Sequence, residues 1–185
     1  MTDAELAQLI RQNPVNAALL DRLPGLGVAQ GTLVAGALFQ TVWNLRSGRP
    51  PQEGIRDYDV FYWDFYWDDD LSYEAEDRVI RRADSLFRDL TGRVEVRNQA
   101  RVHLWFPEKT GLSRPPLRSV RDATNQFLMI GIRVGVTPNG QVYAPDGLSD
   151  LLAGRLRPNP QNVTPDLYAA KLAGYRARWP WLTGN

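Results

Sequence analysis

Apolar positions recur along the chain with two different periods. Leu6, Leu9 and Ile10 fall on one face of a helix that Asp3 can cap. Pro14 opens a second helix carrying Val15, Leu19, Leu20 and Leu23, which Pro24-Gly25 ends. Gly31 to Gly36 reads as a short buried strand running into a small-residue turn. Ala37 to Leu45 returns to helical spacing through Leu38, Val42 and Leu45. Arg56 to Asp64 then changes to a period of two: Tyr58, Val60 and Tyr62 share one side, and Asp57, Asp59 and Phe61 the other. Ser72 starts a helix running to about Leu90, with Val79, Ile80, Ala83, Leu86 and Phe87 inward. Arg93 to Gln99 is a second strand of the same kind. Pro107 to Pro116 reads as a loop, and Phe127 to Val136 as a buried strand. Pro138-Asn139-Gly140 is a hairpin turn with Gln141 to Ala144 returning. Leu148 to Leu152 and Pro165 to Arg178 are the last helices. Helices and strands are interspersed, with no repeat and no linker composition. The pattern therefore predicts one α/β mixed (α+β) domain over residues 1–185.

Composition narrows the chemistry. Hydrophobic residues make up 43% and charged residues 23%, as in a soluble globular protein. The net charge of +1 supplies no strong field for nucleic acid or an anionic membrane, and it disfavours long duplexes. No run approaches the roughly 20 apolar residues of a membrane span. The start, Met1-Thr2-Asp3-Ala4-Glu5, is acidic where a signal peptide is basic and then apolar, so the expected compartment is the cytoplasm. There is no cysteine and one histidine, His103. A metal site here must rest on carboxylates, and oxygen ligands suit magnesium or manganese.

One pair of carboxylates draws attention. Residues two apart on a strand project from the same face, so Asp57 and Asp59 stand close enough to share a cation. Without one, they repel each other. An Asp-x-Asp triplet also describes an edge strand with one solvated face. Glu95, in Val94-Glu95-Val96, adds a third carboxylate if its strand lies beside the first, either to help bind metal or to accept a proton. Gly36-Ala37 opens a helix, and such a start lets backbone N–H groups approach phosphate. Arg97 and Arg101 can meet phosphates bidentately or pair with nearby carboxylates. His103 alternates with apolar neighbours and reads as a hydrogen-bonded structural residue. The aromatic runs Phe61-Tyr62-Trp63 and Phe65-Tyr66-Trp67 suit packing, a partner surface or base stacking. Asp68, Asp69 and Asp70 read as a solvated, helix-capping turn.

These elements occur in a telling order. Ala35-Gly36-Ala37 precedes Thr41-Val42-Trp43-Asn44. Asp57-Tyr58-Asp59-Val60-Phe61-Tyr62 follows, then Asp69-Asp70-Leu71-Ser72 with Glu74. Val96-Arg97-Asn98-Gln99-Ala100-Arg101-Val102-His103 comes next. Ala144-Pro145-Asp146-Gly147-Leu148 with Asp150-Leu151, and Arg157-Pro158-Asn159-Pro160, complete the series. Over roughly residues 15 to 162 the chain resembles the small bacterial nucleotidyltransferase-like family of the polymerase-beta-type superfamily. That resemblance implies a nucleotidyltransferase-like mixed sheet flanked by helices. It implies an enzyme that moves a nucleoside monophosphate from a nucleoside triphosphate to an acceptor, with magnesium or manganese as cofactor. It puts the phosphate-binding turn on Gly36 and Ala37, the metal on Asp57 and Asp59, and the third carboxylate on Glu95. Ala37 stands where the superfamily carries a second Gly or a Ser, and Asp122 to Phe127 departs from the Trp-Pro-Glu-Thr type of relatives. The acceptor stays open. Two other functions fit parts of the same pattern: a non-catalytic nucleotide- or partner-binding module, and a hydrolase using Asp59 and Glu95 without metal.

Overall fold

A computed structural model of the protein describes residues 1–64, 70–111, 113 and 115–184. The chain begins with α1 (Asp3–Ile10) and α2 (Pro14–Arg22), then β1 (Thr32–Val34), α3 (Gly36–Arg46), β2 (Asp57–Tyr62), α4 (Tyr73–Leu86) and β3 (Arg93–Asn98). It continues through α5 (Val102–Thr110), α6 (Val120–Asn125), β4 (Gly135–Val136), β5 (Val142–Tyr143), α7 (Ser149–Ala153) and α8 (Pro165–Arg178). The fold is the expected mixed α/β class. The five strands form one sheet in the order β3-β2-β1-β4-β5. Only β2 and β3 are parallel, joined by the crossover helix α4; the other pairs are antiparallel. Among the described residues no helix is long and apolar enough to cross a membrane.

Local chemistry sets the boundaries. Thr2, rather than Asp3, caps α1: its hydroxyl accepts from the Glu5 N–H while the Glu5 carboxylate accepts from the Thr2 N–H. Asn13 caps α2 ahead of Pro14. Gly140, at φ 80°, makes the hairpin between β4 and β5 that Pro138-Asn139-Gly140 announces. The register pairs Val34 with Asp59 and Asp59 with Glu95. One sheet face therefore carries Leu33, Tyr58, Val60 and Val96, which join Leu6, Leu19, Leu38 and Phe87 in the main core. The opposite face carries Thr32, Val34, Asp57, Asp59, Phe61, Glu95 and Arg97.

Several expectations change. The α4 helix stops at Leu86, short of Leu90. Residues 107–110, read as loop, continue α5, which runs through Pro107. His103 lies in that helix, and its Nδ1 is buried without a hydrogen-bond partner among the described residues. The short α6 carries no apolar pattern long enough to predict it. The largest difference is 127–136, where only Gly135–Val136 is strand and Ile130–Ile132 is a 3-10 turn. Its β-forming composition is overruled by close packing: a Cβ on Gly131 would stand 2.6 Å from the Arg155 carbonyl oxygen. The stretch bonds instead to the Arg157-Pro158-Asn159 segment, with the Ile130 N–H donating to Arg157 O at 2.9 Å and the Asn159 N–H to Leu128 O at 2.9 Å. The second aromatic run, Phe65 to Trp67, and Asp68 and Asp69 lie outside the described residues.

Candidate functional site

The polar face of the sheet opens into a cavity of about 620 Å³. Its walls come from distant parts of the chain. Ala35, Gly36, Phe39 and Gln40 belong to the turn into α3 and its first turns; Gly54 and Arg56 precede β2; Asp57 and Asp59 project from β2. Phe127, Leu128, Met129 and Ile132 form an apolar wall, and Leu167, Lys171, Tyr175 and Arg178 come from α8.

The turn into α3 is strained. Ala35 has φ 57° and ψ −137°, a region that L side chains rarely occupy and that costs about 1–3 kcal/mol. Among the described residues no side chain caps α3. The Leu38 N–H returns to Ala35 O at 3.0 Å, which leaves the N–H groups of Gly36 and Ala37 without a helical partner. The Ala37 side chain itself is fully buried, so only its backbone belongs to the turn. Such an uncapped start carries partial positive charge.

The two aspartates differ in surroundings. Asp57 is exposed at the strand start, and Asp59 is half-buried. Burial pushes the Asp59 carboxyl up to about 6, and the carboxylates of Glu95 and Asp57 push it the same way; Arg97 and Lys171 act against them. Arg97 and Lys171 thus offset only part of what burial and the two neighbouring carboxylates do. Glu95 is directly beside Asp59 on the neighbouring strand, as the sequence required for a third acid. Its oxygens are 2.9 Å from Arg93 and 3.8 Å from Arg97. Among the described residues no group of three or more His, Asp or Glu side chains is arranged to hold a metal. Two carboxylates opening on a shared cavity, one of them disfavoured as a charge by burial and its acidic neighbours, still fit a divalent cation that draws its remaining ligands from phosphate and water, the usual habit of magnesium.

The predicted residues therefore separate. Gly36, Asp57 and Asp59 meet in one cavity, and Glu95 and Arg97 flank it on the same sheet face. Arg101 goes elsewhere. Its guanidinium pairs with Glu76 on α4 inside the protein and donates to Leu71 O at 2.8 Å, so it has no access to a phosphate in the cavity. Asn98 is equally structural, accepting from the Ala100 N–H at 3.1 Å and donating to Asp64 O at 3.2 Å. Asn159 donates to the carbonyls of Asn125 and Phe127 at 2.7 and 2.6 Å, which fixes the start of the apolar cavity wall. Asp150 in turn holds Arg155 and Arg157 at 2.9 and 2.6 Å.

Sequence reasoning missed Arg56, Lys171, Tyr175 and Arg178. For the three on α8, a signal was present: with Leu167 they fall at intervals of four, four and three residues. Tyr175 packs edge-on against Phe39 and Trp43, and burial raises its hydroxyl to about 12, so it remains a donor at neutral pH.

A family model described as Nucleotidyltransferase matches residues 21–183 of this chain. A solved structure described as revealing a CCA-adding enzyme head domain is similar at 26% identity, with a TM-score of 0.76. The match covers 98% of this chain and 94% of the other. A search of curated proteins finds no match.

Proposed function

Since the chain belongs to this nucleotidyltransferase family, we propose that it transfers a nucleoside monophosphate from a nucleoside triphosphate to an acceptor, with Asp57 and Asp59 as ligands of magnesium or manganese. The observation that carries the reading is the convergence of these two carboxylates with the uncapped start of α3 in one cavity. A divalent ion held there supplies neutralisation of the charge on the transferring phosphoryl group. The N–H groups of Gly36 and Ala37 bind phosphate oxygens. The apolar wall of Phe127, Leu128, Met129 and Ile132 receives the nucleoside and keeps water from the reacting phosphate. During transfer the bond from the α-phosphorus to the pyrophosphate oxygen breaks as a bond to the acceptor oxygen forms. Glu95, in register with Asp59, is the proton acceptor for that oxygen. Arg93 and Arg97 hold its carboxylate in place.

The likeness to a CCA-adding enzyme head domain brings nucleic acid among the acceptors to test. A nucleic-acid acceptor does not conflict with a net charge of +1, which argues only against long duplexes.

Calorimetric titration of magnesium and manganese into wild type and Asp57→Asn/Asp59→Asn protein tests the reading. The double variant is expected to lose metal affinity by more than the about 10- to 100-fold typical of an outer-shell change. Pyrophosphate release from a nucleotide panel should fall with it. Equal metal binding by both proteins removes the reading.

A further inference from the structure

The sheet face that carries Asp59 holds a second cavity, of about 410 Å³, farther along β1 and over β4 and β5. Thr32 on β1, Gly135 on β4 and Tyr143 on β5 share that face and line it. Its volume falls within the roughly 300–1,000 Å³ of small-molecule sites. Among the described residues the two cavities have no lining residue in common. Phe61, beside Thr32 in the register, meets Phe127 of the first cavity's wall edge-on, with ring centroids 6.0 Å apart. Gly135 keeps the second cavity open toward the sheet, since a Cβ there would stand 3.0 Å from Thr32 Cγ2. A glycine inside a strand weakens it and often marks the close approach of another group.

The lining presents a definite set of donors and acceptors. The Thr32 hydroxyl donates to Gln30 O at 2.7 Å, and the Thr124 hydroxyl to Val120 O at 3.0 Å. With those protons committed, both oxygens can only accept, and both residues are buried. Ser119 is the reverse: its Oγ accepts from the Asp122 N–H at 3.1 Å, which leaves its own proton to donate. Gln30 has φ 55°, in the left-handed region, and its Oε1 accepts from the Val120 N–H at 3.0 Å. Its amide NH2 has no partner among the described residues. Arg121 is the one charged residue of this lining. It has no ion-pair partner among the described residues; its guanidinium stands 5.2 Å from the centre of the Tyr143 ring, whose hydroxyl donates to Asn125 Oδ1 at 2.8 Å. No carboxylate lines the cavity, and the neighbouring Asp122 accepts from the Arg118 N–H at 2.9 Å.

We propose that this cavity binds a small hydroxylated carboxylic acid, of the sugar-acid type, at a site separate from the cavity of Asp57 and Asp59. Arg121 takes the carboxylate, with Ser119 and the Gln30 amide as further donors. Hydroxyl groups of the ligand donate to Thr32 and Thr124. One guanidinium with no acid in the lining matches a single negative charge. A phosphate monoester carries about −1.5 to −2 at neutral pH and calls for a second cation, which this lining lacks. An apolar acid would bring no donor to the two buried threonine oxygens, and a neutral polyol would leave Arg121 unmatched. The site stands whether or not the nucleotidyl-transfer reading does.

Gluconate is the probe, titrated by calorimetry into the whole protein. It is expected to bind wild type. Hexanoate, which has the charge without the hydroxyls, and sorbitol, which has the hydroxyls without the charge, should each bind more weakly by roughly tenfold or more. Sorbitol phosphate should also bind more weakly than gluconate. Arg121 is exposed, so Arg121→Ala should fold normally and weaken gluconate by a similar factor. Thr32→Val keeps the side-chain shape and should weaken gluconate but not hexanoate. Arg118→Ala, outside the cavity, and Lys171→Ala, in the other one, should leave binding unchanged. Absence of gluconate binding to wild type overturns the proposal, as does equal affinity for gluconate, hexanoate and sorbitol. Tighter binding of sorbitol phosphate overturns the assignment to a carboxylate. Loss of binding in Lys171→Ala with none in Arg121→Ala would put the acid in the first cavity and overturn the site.

Discussion

Glu76 and Asp59 are both carboxylates set into the protein, yet one is closed off by its partners and the other faces a cavity. Glu76 is 5% exposed; one oxygen takes the Arg101 guanidinium and the other accepts the Asn98 N–H at 2.9 Å. Both oxygens are engaged, and the result ties the first turns of α4 to the end of β3. Asp59 has carboxylates on both sides and no ion-pair partner among the described residues. The same chemical group is closed into an ion pair in the first region and opens on a cavity in the second. What separates them is whether the charge is already answered, and residue type carries no trace of that.

Breaking the closed region should have the largest effect on stability. Glu76→Ala strands the Arg101 charge in the interior, at a cost of about 3–5 kcal/mol. Thermal denaturation should show Tm lowered by roughly 10 °C, while metal affinity of the folded fraction stays unchanged. A small shift in Tm would mean that the two regions differ less than the contacts imply.

Opening the contrast from the other side should give a smaller change of opposite sign. The Asp59 carboxyl stands at about 6 in the folded protein against an ordinary 3.8. A raised carboxylate costs stability that is fully felt above the folded value and vanishes as pH falls toward the ordinary one. Asp59→Asn should therefore stabilise the metal-free protein at pH 7.5 by about 1–2 kcal/mol, allowing for solvent screening. The gain should shrink toward pH 4. Denaturant unfolding at the two pH values checks it, and a gain that grows on acidification would contradict the account.

The smallest expected effect is that of Arg97, which holds Asp59 down. Arg97→Ala should move the pH midpoint of manganese binding upward, with little change in Tm. Binding should weaken below about pH 6 in wild type and at a somewhat higher pH in the variant. Titration by calorimetry across pH 5 to 8 reads both midpoints.

Much of the fold was legible because it follows from short-range pattern. The alternation across 57–62 assigns Asp57 and Asp59 to the face opposite Tyr58 and Val60, and the sheet register agrees. Pro165 to Arg178 matches α8 at both ends. What pattern could not supply was the answer to each charge. Lys171 and Arg178 went unmarked within the helix read over Pro165 to Arg178, and only the packing of Tyr175 against Phe39 and Trp43 of α3 turns their face to the cavity. Arg101 read equally as a phosphate ligand or as an ion-pair partner, because Glu76, the carboxylate that takes it, lies 25 residues earlier in α4. Residues 127–136 read as strand because composition does not reveal the Arg155 carbonyl pressed against Gly131.

The dependence of the cavity on α8 has a consequence for the protein's synthesis. The carboxylates of β2 leave the ribosome long before the cations of α8, about 120 residues apart, or roughly 6 to 24 s at ordinary elongation rates of about 5–20 residues per second. During that interval Arg97 bears on Asp59 without Lys171, the α8 cation that joins it in the folded protein. The cavity is enclosed only as α8 docks and brings Leu167, Lys171, Tyr175 and Arg178 to its wall.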